Sequence, residues 1–307
     1  MSHDNSARRA SVLEEVMGAI EIWPRYCVAI AVSSHKGTVM AGETTKIFPW
    51  ASVTKVLTSF ALLLAYEEGT VSLDEPVGLD GLADEVSIRH LLSHSSGLGP
   101  NQSVRTKSPI SLPARYSIPT DEQPLAPCGT KRIYSNLGFD LLAKVLQERA
   151  EMRFFDYLQE GILDPLKIEM SEFGDGSSSP AWGAKATISE LITLAREFLY
   201  PHLLAPETVE IARTVQFPGL SGVLPGYGLQ ANNDWGLGLE IKDSKSPHWT
   251  GSMNTPEAFG HFGQSGSFVW IDPKLELCFA YLSERPFDNW AKEHWPTISD
   301  YVIELFS

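Results

Sequence analysis

Strand-forming sequence stands at both ends of this 307-residue chain, with helical pattern between, and that arrangement leaves few ways to fold. Near the start, "YCVAIAVSS" and "TVMAGE" flank "HKG", the pattern of a β-hairpin. Near the end, "HFGQSGSFVWID" and "LELCFAYLSE" flank "DPK", which predicts a second hairpin. From about residue 70 to 240, helical spacing dominates in "SIRHLLSHSSGL", "NLGFDLLAKVLQERA", "FFDYLQEGIL" and "TISELITLAREFL". The last has Thr187 or Ser189 near its cap and Glu190 in its first turn. A terminal helix is expected in "DNWAKEHWPTISDYVIELF", and a short one over 8–20 with Val12, Val16 and Ile20 on one side. Residues 100–127 carry six prolines and read as a long loop, as does the Gly- and Pro-rich "FPGLSGVLPGYGLQANNDWGLG". The simplest architecture is α+β: an antiparallel sheet built from both termini and flanked by helices, with an inserted helical lobe. Residues 1–69 and 240–307 would form the sheet lobe and 70–239 the helical one, in one structural unit.

Composition narrows the partners. The chain carries 38 acidic and 24 basic residues, a net charge of −14, and such a surface repels phosphate backbones, so nucleic acid is excluded as an expected partner. No stretch offers about 20 uninterrupted apolar residues, so no membrane span is expected. "MSHDNSARRASVLEEVMGAIEIW" lacks the apolar core of a secretory signal, which points to the cytoplasm if this is the native start. Cys27, Cys128 and Cys278 are few and odd in number, and read as reduced thiols, with Cys27 and Cys278 as small apolar strand residues. Oligomeric state is open.

The chemistry begins at "FPWASVTKVLTSFALLLAYEEG", residues 48–69. Ser52 stands at the head of an apolar helix with Lys55 three positions later, where the two side chains are neighbours. The N–H groups of a helix start favour an oxyanion and oppose a lysine's charge, which suits Ser52 as nucleophile and Lys55 as base. The lysine pKa must then fall from about 10.4, through burial or nearby like charge. Ser52 as a plain helix cap fits equally well, and Ser-x-x-Lys arises by chance about once in such a chain. Ser33 and Lys36 make a second copy, in a hairpin turn where neither helix spacing nor helix dipole applies. Two further segments bear on the choice. Tyr134 and Asn136, in "GTKRIYSNLGFDLL", form the only Tyr-x-Asn. A phenol beside Ser52 and Lys55 can relay a proton and an amide can hold a carbonyl, or Ser135 and Asn136 simply cap a helix while Tyr134 packs. "GHFGQSG", 260–266, is a strand of small residues whose backbone can receive a substrate, or a strand merely softened by glycine.

Together these segments resemble the serine β-lactamase, penicillin-binding and class C esterase superfamily, with its Ser-x-x-Lys, Tyr-x-Asn and Lys-Thr-Gly motifs. The likeness extends through "IRHLLSHSSGL", "ILDPLKI" and "GHFGQSGSFVWIDPKLELCFAYLSE" in the family's order. It implies an α/β sandwich of the β-lactamase/transpeptidase type with the site at the junction of the lobes. It also implies acyl transfer: Ser52 attacks, Lys55 and Tyr134 share the proton, and the N–H groups of Ser52 and Gln264 bind the oxyanion. Asn136 would position substrate, and His261, Phe262 and Gly263 would stand as the third motif. No metal or cofactor is implied.

One position departs from the family. Phe262 replaces the hydroxyl residue that helps hold a substrate carboxylate, and a phenyl ring cannot donate a hydrogen bond. The expected substrate is therefore an uncharged small-molecule ester or amide, with a β-lactamase or D-Ala-D-Ala carboxypeptidase as the rival, and a catalytically silent binding protein as the reading from another class. His90 and His94, four apart, could contribute to a metal site, but no third ligand is evident.

Overall fold

The structure, a computed structural model, describes residues 16, 18, 25–78, 82–100, 124–171 and 178–307. Most of the expected 8–20 helix and of the 100–127 loop lies outside the described residues. Six strands form one antiparallel sheet: β1 Val28–Ser34, β2 Gly37–Gly42, β3 Glu240–Ile241, β4 Phe259–Gly263, β5 Ser267–Asp272 and β6 Leu277–Ser283, ordered β2-β1-β6-β5-β4-β3. The two ends of the chain meet at β1 and β6, in register from Val28 opposite Ser283 to Ser34 opposite Leu277. Cys278 lies in β6, whereas Cys27 stands one residue before β1.

Both sheet faces are covered, so the strands are apolar on both sides. Ala29, Ala31, Val269, Ile271 and Ala280 point into a core shared with the helices Thr54–Glu67, Asn136–Ala150 and Ile188–Glu197. Their alternates Ile30, Val32, Phe268, Trp270 and Phe279 face a second core under the terminal helix Asn289–Phe306, which supplies Trp295, Ile298 and Val302. Thr54–Glu67 is buried on almost every side, as a central helix must be, and its polar groups are met by loop backbone. Thr54 Oγ1 accepts from the Ala184 N–H at 3.0 Å and Thr58 Oγ1 donates to the Pro180 carbonyl at 2.7 Å. Thr187 and Glu190 form the expected capping box.

Two expectations change. "HFGQSGSFVWID" is two strands, because Gly266 at φ +88° turns the chain and its N–H bonds the Gly263 carbonyl at 3.0 Å. Within the supposed loop "FPGLSGVLPGYGLQANNDWGLG", Gly222–Leu224 and Gly228–Gln230 form a small hairpin, its turn allowed by Gly226 at φ +79°. In β3, Glu240 is buried and its carboxylate accepts from Lys245 at 2.5 Å, His248 Nε2 at 2.8 Å and Trp249 Nε1 at 2.9 Å, all from the segment beyond the strand. Among the described residues no helix is long and apolar enough to cross a membrane.

Candidate active site

Ser52 sits in a 3₁₀ turn, Ala51–Val53, that leads into the central helix. It does not cap that helix, whose N-cap is Val53 with no side-chain hydrogen bond. The turn lies against the end of β4, and Gly263 makes the approach possible. A Cβ there would stand 2.5 Å from the Trp50 carbonyl oxygen and 3.0 Å from the Ala51 Cβ. Ser267 on β5 pins the same turn, donating to the Trp50 carbonyl at 2.8 Å. Ala51 has φ +46°, a left-handed conformation that costs an L-residue energy and persists only where the surroundings impose it. Here the sheet imposes it, and Ser52 comes next.

Lys55, one turn on, has no solvent exposure. Its Nζ donates to Asn136 Oδ1 at 2.7 Å and to the Ala181 carbonyl at 2.8 Å, both neutral. The amine lies 4.8 Å from the centre of the Tyr134 ring and 5.3 Å from that of Phe139. Burial lowers its pKa to about 7, against the pull of Asp140, so a large share is free amine near neutral pH.

Tyr134 precedes the helix Asn136–Ala150, whose cap is Ser135: its Oγ accepts from the Gly138 N–H at 3.3 Å. The capping duty falls to Ser135, which leaves Tyr134 and Asn136 to face Lys55. The Tyr134 hydroxyl is buried and makes no well-aligned hydrogen bond. Burial pushes the phenol up, offset in part by the Ser52 hydroxyl, so Tyr134 stays protonated at pH 7. Its ring lies 4.6 Å from that of His94 and 5.8 Å from that of His261. His94 Nδ1 accepts from the Ser135 N–H at 3.1 Å, which puts the ring proton on Nε2. His261 Nδ1 donates to the Phe262 carbonyl at 2.7 Å and leaves Nε2 as a buried bare acceptor. Burial, then Lys55, lowers the His261 pKa to about 3, so the third motif carries no positive charge here.

His261 and Phe262 point to opposite sides of β4. His261 faces Tyr134, while the Phe262 ring packs under the terminal helix, 4.9 Å from Phe287 and 5.9 Å from Trp295. Phe262 still borders the cavity, but its ring belongs largely to that second core. Ser52, Tyr134, Asn136, His261 and Gln264 come together on a cavity of about 600 Å³, with Lys55 directly behind. Its mouth is apolar: Leu125, Val223 and Leu229 are 66%, 56% and 75% exposed there, with Val223 directly opposite Leu229 on the small hairpin. Arg132 also borders the cavity, but its guanidinium is spent on the carbonyls of Asn233, Ser93 and Gln216 at 2.6–3.0 Å.

Other candidates separate. His90 Nδ1 pairs with Ser87 Oγ at 2.8 Å and the ring stacks on Phe217, away from His94's partners. Burial pushes the Cys128 thiol up to about 11 and the Cys278 thiol up to about 12, which leaves neither as a ready thiolate. Sequence reasoning missed the Ala181 carbonyl, the His94 ring and the hairpin at the mouth. Only the aromatic and glycine content of those segments hinted at a packed site.

A protein-family model described as Beta-lactamase matches residues 25–300. A beta-lactamase from Mycobacterium bovis, known from its crystal structure, is 42% identical, with 96% of this chain and all of that one covered at a TM-score of 0.83. The structure of EstCE1, a hydrolase with promiscuous acyltransferase activity, is 17% identical over 96% of this chain and 98% of that one, with a TM-score of 0.76. Protein flp of Staphylococcus aureus is 28% identical over 148 residues, 44% of this chain, and the match spans only 29% of that protein's length.

Proposed function

This chain belongs to the beta-lactamase family, whose members are generally serine hydrolases, and from that premise we propose that it cleaves an uncharged small-molecule ester or amide through an acyl-enzyme on Ser52. The observation that carries the reading is Lys55: a buried amine, hydrogen-bonded to two neutral oxygens, one turn from Ser52 at the cavity wall. Ser52 Oγ attacks the carbonyl carbon and its proton passes into the Lys55–Tyr134 pair. The N–H groups of Ser52 and Gln264 hold the oxyanion. Collapse breaks the bond to the alcohol, which leaves with the proton returned by the same pair. A water then attacks the acyl-enzyme and gives up its proton by the same route. Ser52 departs reprotonated, and the acid is released.

The preference for an uncharged substrate rests on the β4 side of the cavity and on Arg132; the exposed Lys131 also borders the cavity, away from the third motif. His261 is neutral, Phe262 has no donor, and Arg132 is occupied by carbonyls. The exposed apolar mouth suits an acyl or alkyl group. A hydrolase with promiscuous acyltransferase activity on the same fold agrees with this reading. The 42% identity to a beta-lactamase favours a second reading, opening of a β-lactam ring by the same serine.

The test is hydrolysis of p-nitrophenyl esters from acetate to octanoate by the native protein and Ser52→Ala, with a chromogenic cephalosporin alongside. Ester turnover lost in Ser52→Ala supports the proposal. Faster turnover of the cephalosporin than of any ester installs the second reading. Neither turnover nor labelling of Ser52 by a fluorophosphonate would leave a binding protein.

A further inference from the structure

The Lys55 acceptor Ala181 belongs to a tight turn, Ser179–Ala184, that the mechanism does not otherwise use. The turn is closed by Trp182 N–H and Gly183 N–H on the Ser179 carbonyl, at 3.1 and 2.7 Å. A Cβ on Gly183 would lie 2.7–2.9 Å from Ser178 and Ser179, so the chain can double back only with glycine there. Thr54 and Thr58 hold one side of the turn to the Ser52 helix. On the other side a side chain of the Asn136 helix holds it. Asp140 Oδ1 accepts from Ser179 Oγ at 2.6 Å, and Ser179 Oγ accepts from the Ala181 N–H at 3.1 Å. The Ala181 carbonyl then accepts from Lys55 at 2.8 Å.

Asn136 and Asp140 are four apart on one helix and share a face. The neutral amide touches Lys55 directly, while the carboxylate reaches it through the turn. A carboxylate in direct contact would hold the lysine charged and useless as a base. No carboxylate at all would leave burial unopposed.

We propose that Asp140 is a positioning residue for Lys55: through Ser179 it fixes the turn that receives the amine, and its charge, one helical turn from Asn136, balances the cost of protonating that amine. The inference rests on the reading of Lys55 as the base. The other titratable groups packed around the amine are Tyr134, His94 and His261, from three different elements, and each stays neutral at pH 7. Asp140 is the carboxyl group among these neighbours, raised by burial and drawn back by Ser179 and Lys55.

The test is the pH profile of ester kcat/KM for the native enzyme, Asp140→Asn, Asp140→Glu and Ser179→Ala. Asp140→Asn keeps the acceptor and removes the charge, so its acid limb should move to lower pH. At pH 6 it should retain a share of its own plateau rate about threefold or more above the native share. Asp140→Glu should keep the native limb. Ser179→Ala keeps the charge but frees the turn, so kcat should fall with the limb unmoved. Asp140→Ser carries the same expectation as the amide should that variant not fold. A native limb near pH 7 that none of the neutral variants shifts overturns the role of Asp140 and leaves Lys55 as base. A native profile without that limb overturns both.

Discussion

At the scale of single residues, the proposed mechanism depends on keeping one amine and one phenol neutral beside a hydroxyl. Lys55 must be deprotonated to act as base, and burial brings its pKa to about 7. Ester kcat/KM should therefore rise with pH through a limb near 7 and fall away below it. The Tyr134 phenol is held protonated, so Tyr134→Phe removes the proposed proton relay while leaving Ser52 and Lys55 in place. That change should cost about 10²–10⁴-fold in kcat, with the fold intact by circular dichroism. A loss below tenfold would reassign the relay to Lys55 alone. Ser52, Lys55, Tyr134 and Asn136 were readable as candidates because their side-chain types and spacings carry the chemistry. Ala181 was not, because a backbone carbonyl has no sequence signature. His94 entered only as half of a metal pair, since nothing local says that its ring lies against Tyr134.

At the scale of elements, the Ser52 turn is held by a contact between the first and last thirds of the chain. Gly263→Ala forces a Cβ to within 2.5 Å of the Trp50 oxygen. It should lower stability by about 1–3 kcal/mol in a thermal or denaturant melt and cut kcat through displacement of Ser52. An unchanged melt and rate would mean that the turn does not bear on β4. The small hairpin makes the opposite kind of contribution. Val223 and Leu229 are largely exposed, so changing both to Ser should leave the melt within about 0.5 kcal/mol. It should erase any gain in kcat/KM from acetate to octanoate esters, which burial of methylenes would supply. The strands at both ends of the chain were legible from alternating and apolar runs. The split of "HFGQSGSFVWID" into β4 and β5 was not, because Gln264–Gly266 reads as part of a run of small strand residues until its glycine is seen at positive φ. Nor was the hairpin at 222–230, whose glycines and prolines outweigh its few strand residues.

At the scale of the whole molecule, β3 and the segment after it are locked by one buried carboxylate. Burial opposes the charge of Glu240, but His248 and Lys245 outweigh it and hold the pKa at about 2, below the ordinary 4.5. A carboxyl depressed in the folded state contributes stability that is complete above the unfolded value and lost as pH falls through the folded one. That contribution should therefore persist at neutral pH and drain away between about pH 4.5 and 2. Glu240→Ala leaves Lys245 and His248 buried without their partner and should cost about 3–5 kcal/mol at pH 7 in a denaturant melt. The sheet itself was foreseeable, since strand-rich termini around a helical middle have few other ways to bury their apolar faces. The Glu240 cluster was not, because Lys245 and His248 look like loop charges until the chain folds back on them.

The pairing of β1 with β6 also sets a timetable for synthesis. Ser33 lies opposite Cys278, 245 positions later. A ribosome adding about 5–20 residues per second needs roughly 10–50 s to bridge that gap. Throughout that interval the first hairpin has one unpaired edge, and the helix that follows Ser52 has no β4 or β5 to seat its first turn. Ser52 is made early and its turn is seated late, so a nascent chain of this protein is exposed to capture by other strand edges for most of its translation.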